Sequence, residues 1–261
     1  MAEEANAAET SGDLNQDDLV MAQQRKIEQE IAATTALVGA VEDVTCLLDE
    51  YSSDPVYQQK VKHLSTKYQT LRRTRPDGNC FFRAFTFGYF ESLIGDETEF
   101  NRFYKIAKDS KDELIALGFP KFTLEDFHDM YMEVLDKVRV AQSAADIEAV
   151  LSEPAYSDYV VVYMRLITSG HMQKNADFYV HFLDGHPTVK DFCALEVEPM
   201  YKESDHIHIT CLTAAIGVGV RVEYMDRGGT EVNAHDFCPE GVTEPRVRLL
   251  YRPGHYDILY L

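Results

Sequence analysis

The chain is short of bases, of paired cysteines and of long apolar runs, and each shortage removes a class of protein. Only 25 of its 261 residues are Lys or Arg, against 44 Asp and Glu, for a formal charge of −19 at pH 7. Such a surface repels phosphate backbones and anionic lipid heads, so neither nucleic acid nor membrane is an expected partner. A basic protein or basic peptide tail is. The five cysteines (Cys46, Cys80, Cys193, Cys211, Cys238) are an odd number with no CxxC pair. That argues against a disulfide framework and a thiolate zinc site, and for reduced thiols in the cytosol or nucleus. The longest apolar run, YVVVYMRLI at 159–167, carries Arg165 and falls well short of the ~18–20 residues that span a bilayer. The N-terminus lacks a basic-then-apolar secretory pattern. HExxH, GxSxG, a phosphate loop and a Gly-rich dinucleotide fingerprint are all missing.

What is present is enough apolar residue, 45% of the chain, for one large core. Residues 1–20 hold six acids, no base and almost no large apolar side chain, and read as a disordered arm. From Met21 the segment MAQQRKIEQEIA is rich in helix formers, with Ile27 and Ile31 four apart. A second helix is expected on Val41, Val44 and Leu48, separated from the first by Thr34, Thr35 and Gly39. Further helices are expected from Cys80 to about Ile94, from Glu97 to a stop at Gly118, and over Thr123 to Val138, where Thr123 and Asp126 have the spacing of a capping box. The run at 159–167 reads either as a strand or as a buried helix. After residue 217 the apolar period changes from helical to two. Val218, Val220, Val222 and Tyr224 alternate, and RVRLLYRPGHYDILY reads as a hairpin turning at Pro253 and Gly254. Helices first and strands last make the expected class α+β.

The stretch RPDGNCFFRAF (75–85) places Asp77, Gly78, Asn79 and Cys80 in a turn that runs into an aromatic helix. Free cysteine is a common core filler, and Pro-Asp-Gly is an ordinary turn. A thiol at a helix start can also be a nucleophile, because the helix N-terminus lowers its pKa and unpaired N–H groups there can receive an oxyanion. Gly78 leaves the backbone room to approach, and Asp77 is placed either to cap the helix or to hold the loop. In PGHYDIL, His255 and Asp257 lie two apart on a strand and so share a face. A carboxylate there can fix the imidazole while its other nitrogen faces a thiol. His206 and His208, near Asp205 and Cys211, lack further metal ligands at recognisable spacing, and a structural role with Asp205 capping or pairing is expected. Cys193 and Cys211 fall in apolar patterns and read as core. These residues by themselves report acyl transfer and leave the acyl group open.

TRPDGNCFFRAF and LLYRPGHYDILY together resemble the OTU family of deubiquitinating cysteine proteases. FTLEDFH, VVYMRLITSG and VEPMYKESDHIHI resemble its otubain branch, from about residue 21 onward. The resemblance implies a papain-like OTU fold with a helical N-terminal part and a mostly antiparallel C-terminal sheet. It divides the chain into an acidic arm (1–20), a helical arm (21–52) and a catalytic domain (53–261). It makes Cys80 the nucleophile, His255 the general base, Asp257 the residue orienting His255, and Asp77 the acid shaping an oxyanion loop of Asp77, Gly78 and Asn79. Ubiquitin and polyubiquitin are the implied substrates, with no metal or cofactor. The arm resembles that of the longer otubain type, which implies preference for the lysine-forty-eight linkage and non-catalytic inhibition of ubiquitin-charged conjugating enzymes. Ile27 and Ile31 are then the implied ubiquitin contacts and Thr123 a conjugating-enzyme contact. A monomer in the cytoplasm, and also in the nucleus, is expected.

Overall fold

The computed structural model describes Gln23, Lys26, Ile27, residues 30–183 and residues 185–261; the acidic arm expected over 1–20 lies outside them. Contacts divide the chain into Met1–Thr34 and Thr35–Leu261. In the first unit Gln23, Lys26, Ile27 and residues 30–34 are helical, with Ile31 half-buried and Ile27 exposed. Lys26 pairs with Glu30 one turn on, at 3.9 Å, and Thr34 Oγ1 donates back to Glu30 O at 3.0 Å.

The second unit begins with a strand where a helix was expected. Val38–Asp43 forms β1, a 3-10 turn covers Val44–Cys46, and only Leu47–Glu50 is α-helical (α1). The apparent helical spacing of Val41, Val44 and Leu48 joins positions with different fates: Val41 is 51% exposed on the strand, while Val44 is buried after it. Asp43 makes the change of direction by accepting from Thr45 N at 2.8 Å. Residues 35–52 therefore belong to the second unit, and the helical arm expected to run to residue 52 stops at 34.

After α2 (Pro55–Leu64) comes β2 (Thr70–Thr74), which pairs antiparallel with β1. Five helices follow: α3 (Cys80–Ser92), α4 (Glu97–Ala116), α5 (Lys121–Val140), α6 (Ala144–Leu151) and α7 (Pro154–Lys174). Then come the short α8 (Ala176–Tyr179) and α9 (Val189–Phe192), a π-helical turn at Cys193–Val197, and α10 (His206–Ile216). The remaining strands are β3 (Val220–Tyr224), β4 (Asn233–Phe237), β5 (Val247–Arg252) and β6 (His255–Tyr260). The sheet order is β1-β2-β6-β5-β3-β4, antiparallel except for β3 beside β5. The fold is α+β, but the strands do not all come last.

Helix α3 carries aromatic residues around its whole circumference, and a helix apolar on every side must be buried on every side. Phe81, Phe82, Phe85, Phe87, Tyr89 and Phe90 are all inaccessible, because α3 lies between β5 and β6 on one side and α7 on the other. The ambiguous run at 159–167 is the middle of α7, which starts with Pro154 at its first position. The capping box expected at Thr123 is not formed. Helix α5 begins two residues earlier behind Pro120, leaving Thr123 exposed in the first turn. Gly118 takes φ +95 just past α4, the left-handed stop expected of it. Among the described residues no helix is long and apolar enough to cross a membrane.

Candidate active site

Strand β2 ends at Thr74 and a five-residue turn delivers Cys80 as the first residue of α3. Asp77 does not cap that helix; its Oδ1 accepts from Asn79 N at 3.0 Å and from Arg83 Nη1 at 2.8 Å, which closes the turn on itself. Gly78 has φ +76, and a Cβ there would lie 2.3 Å from Tyr201 O. Both the torsion and the space therefore require glycine. Asn79 is buried, its Oδ1 accepting from Tyr201 N at 2.9 Å and from Arg165 Nη2 at 3.0 Å.

Arg165 is the hub behind this turn. From the middle of α7, wholly buried, it donates to Gly78 O (3.0 Å), Asn79 Oδ1 (3.0 Å), Lys202 O (2.7 Å) and Val197 O (3.0 Å). Its guanidinium also lies 4.6 Å from the ring centre of Phe82. Burial lowers its pKa to about 10, against the opposing pull of Cys80 and Asp77. It stays charged at neutral pH.

The other half of the site comes from the β5–β6 hairpin. His255 Nε2 meets Asp257 Oδ1 at 2.8 Å, as the period-two spacing requires. Asp257 is fully buried and accepts further from Thr74 N (3.0 Å) and Arg252 Nη2 (2.6 Å). Burial alone would raise its pKa, but the hydrogen bond from His255 and the charge of Arg252 hold it below the ordinary carboxylate value. Burial alone would lower the pKa of His255 from 6.5; Asp257 and the Cys80 thiol outweigh it and raise that pKa to about 9. His255 Nδ1 is buried without a hydrogen-bond partner, although Cys80 is close enough to act on the ring. Cys80 and His255 are thus apposed, the sulfur acting on the ring through both hydrogen bonding and charge.

This geometry can carry acyl transfer, and the comparisons agree with it. Residues 30–261 match the family Peptidase C65 Otubain. The chain belongs to the otubain family of cysteine peptidases. Among its relatives, human Ubiquitin thioesterase OTUB1 is 51% identical over 246 residues, 94% of this chain and 90% of that one. The Arabidopsis thaliana OVARIAN TUMOR DOMAIN-containing deubiquitinating enzyme 1 is 40% identical, over 91% of this chain and 85% of its own. Two solved structures are also similar. One is the h/ceOTUB1–ubiquitin aldehyde–UBCH5B~Ub complex (TM-score 0.88, 36% identity, 94% of this chain and 97% of that one). The other is the corresponding UBC13~Ub complex (TM-score 0.87, 35% identity, 94% and 98%).

In this otubain Asp77, Gly78, Asn79, Cys80, His255 and Asp257 all converge on one site. Sequence reasoning passed over Arg165 and Arg252. Arg165 had a signal, a single base inside the longest apolar run; Arg252 had only its nearness to His255. Ile27 and Ile31 lie in the first unit and Thr123 at the start of α5. Asp205 caps α10, accepting from Ile207 N at 3.1 Å and meeting His208 Nδ1 at 2.8 Å, the structural role expected. Cys193 and Cys211 are buried, and burial pushes each thiol up to about 12; they are core.

The raised pKa of His255 has a consequence for stability. Its folded value lies above 6.5, so the imidazolium stabilises the fold fully below about 6.5 and loses that contribution as pH rises through about 9. The difference in melting temperature between this otubain and its His255→Gln variant is expected to shrink across that window. A constant difference would place the proton elsewhere.

Proposed function

We propose that this otubain hydrolyses isopeptide bonds in polyubiquitin, preferring the lysine-forty-eight linkage, with Cys80 as nucleophile. The chain is a cysteine-type deubiquitinase, and the observation that carries the reading is the convergence of Cys80, at the head of α3, with the His255–Asp257 pair. With the thiol proton held on His255 as imidazolium, Cys80 Sγ attacks the carbonyl of ubiquitin's C-terminal glycine. The developing oxyanion meets the backbone N–H groups of the turn that Asp77 and Arg165 hold in shape. The imidazolium then protonates the leaving lysine amine, and His255 activates the water that hydrolyses the thioester. Asp257 keeps the ring in place throughout. Ubiquitin needs an apolar landing surface, and the groove between α8 and the start of α10 supplies one: Phe178 and Phe182 are 58% and 62% exposed beside Leu183 and Ile207.

The linkage preference rests on the arm. In a panel of the eight diubiquitin linkages, cleavage is expected to be confined largely to one. Removing residues 1–34 should reduce that activity by about tenfold or more, equivalent to ~1.4 kcal/mol of lost substrate binding. Equal cleavage of all linkages by the intact chain would defeat the preference while leaving the enzyme.

A second activity, inhibition of charged conjugating enzymes without catalysis, is favoured by the head of α5. There Phe122 is 80% exposed next to the exposed Thr123, and the similar structures are complexes with UBC13~Ub and UBCH5B~Ub. Loss of inhibition on removing residues 1–34, with inhibition retained in Cys80→Ala, is the expected pattern.

A further inference from the structure

Arg252, the last residue of β5, is held between two carboxylates, only one of which belongs to the triad. Its Nη2 donates to Asp257 Oδ2 at 2.6 Å, and its Nη1 to Glu50 Oε1 at 2.5 Å and to the Tyr51 hydroxyl at 3.3 Å. Asp257 Oδ1 is left to His255 Nε2 and Thr74 N. Both oxygens are therefore engaged on fixed partners, and the carboxylate cannot turn about its χ2 without breaking one set. Glu50, on α1, also receives Arg73 Nη1 from β2 at 2.8 Å. Arg73 Nε in turn lies 3.3 Å from Glu42 on β1.

A buried arginine beside the orienting aspartate raises a problem of charge. If Arg252 fully neutralised Asp257, nothing negative would remain to favour the imidazolium of His255. Glu50 solves this: with Arg73 and its partner Glu42 counted as well, three carboxylates (Asp257, Glu50, Glu42) stand against two guanidiniums (Arg252, Arg73) and leave one net negative charge, the complement of one imidazolium. Burial opposes ionisation of Glu50, but Arg73 and Arg252 hold its pKa below the ordinary value, so the count stands at neutral pH. Resting on the reading of Cys80, His255 and Asp257 as the catalytic triad, we propose that Arg252 and Glu50 are its positioning residues. Arg252 fixes the plane of the Asp257 carboxylate, and Glu50 offsets the charge of Arg252 so that Asp257 can support a protonated His255.

Cys80 from α3 and Asp257 from β6 act on the His255 ring directly; behind Asp257 stand Arg252 from β5, Glu50 and Tyr51, and Arg73 from β2, and Glu203 Oε1 lies beside Gly254 in the preceding turn. The experiment follows the His255 ring proton by NMR through a pH titration, assigned by its loss in His255→Gln. The chains compared are the intact one, Glu50→Gln, Arg252→Gln and the double variant. Glu50→Gln should lower the midpoint by about half a unit, as expected for one charge removed through a partly screened medium. Arg252→Gln should raise it, and the double variant should return it towards the starting value. With a fluorogenic ubiquitin C-terminal substrate, Glu50→Gln should keep KM and move the alkaline limb of kcat down with the midpoint. Arg252→Gln and the double variant should lose kcat several-fold more than their melting curves explain, because the carboxylate is free to turn. A midpoint unchanged in Glu50→Gln, or losses of kcat that merely track the folded fraction, would overturn the proposal. The titration reads the charge relation whether or not ubiquitin is the substrate, so failure of the intact chain to cleave counts against the functional reading alone.

Discussion

Cys80→Ala is expected to remove diubiquitin cleavage, with kcat lowered by about a thousandfold or more, and to leave ubiquitin binding in place. The size follows from the chemistry. Without the sulfur there is no acyl-enzyme, and the turn and histidine that remain can only assist direct attack by water. The fold should tolerate the change, since exchanging a buried thiol for a methyl group removes one heavy atom and costs on the order of 1 kcal/mol. Cleavage by gel, ubiquitin affinity by calorimetry and a melting curve on the same preparation separate the three effects. Cleavage that survives would move the nucleophile to another thiol. Cys46 and Cys238 are the two only partly buried alternatives, and both have their pKa raised by burial.

Arg165→Leu should be the most damaging substitution outside the triad, lowering stability by roughly 3–5 kcal/mol, the range for breaking a buried charged network. Four acceptors lose a donor at once: Gly78 O, Val197 O, Lys202 O and Asn79 Oδ1, the last keeping only Tyr201 N. Two of them belong to the turn before Cys80 and two to the segment that carries Tyr201, so the variant also frees two loops that one side chain had tied together. In whatever fraction still folds, kcat should fall more than KM rises, since the oxyanion turn is needed chiefly in the transition state. Arg165→Lys should rescue little, because an ammonium cannot reproduce the forked, planar donor set. Urea unfolding followed by steady-state kinetics decides it. A variant with unaltered stability would mean that the hub is not what holds the turn.

The cluster of Cys80, His255 and Asp257 could be read from the sequence because each half of it is local. Cys80 heads a helix whose aromatic pattern is unmistakable, and His255 and Asp257 are two residues apart on a strand. What could not be read depends on partners far along the chain. β1 and β2 are strands because they extend the sheet through β6, a pairing that no local period announces, and Val41, Val44 and Leu48 imitate a helix in its absence. The same holds for Arg252, whose partners Glu50 and Tyr51 come from the opposite end of the domain. Arg165 was visible as an anomaly, but its meaning required Gly78 and Lys202 beside it.

The position of β6 in the sheet bears on how activity arises during synthesis. Cys80 and the helix behind it are made early, whereas His255 follows much later and sits on a strand that inserts between β2 and β5. Contacts between such distant segments form slowly and late, and domains assemble as their chain emerges from the ribosome. A nascent chain that already displays its thiol would therefore carry the proposed nucleophile without its proposed base until the gap in its sheet is filled.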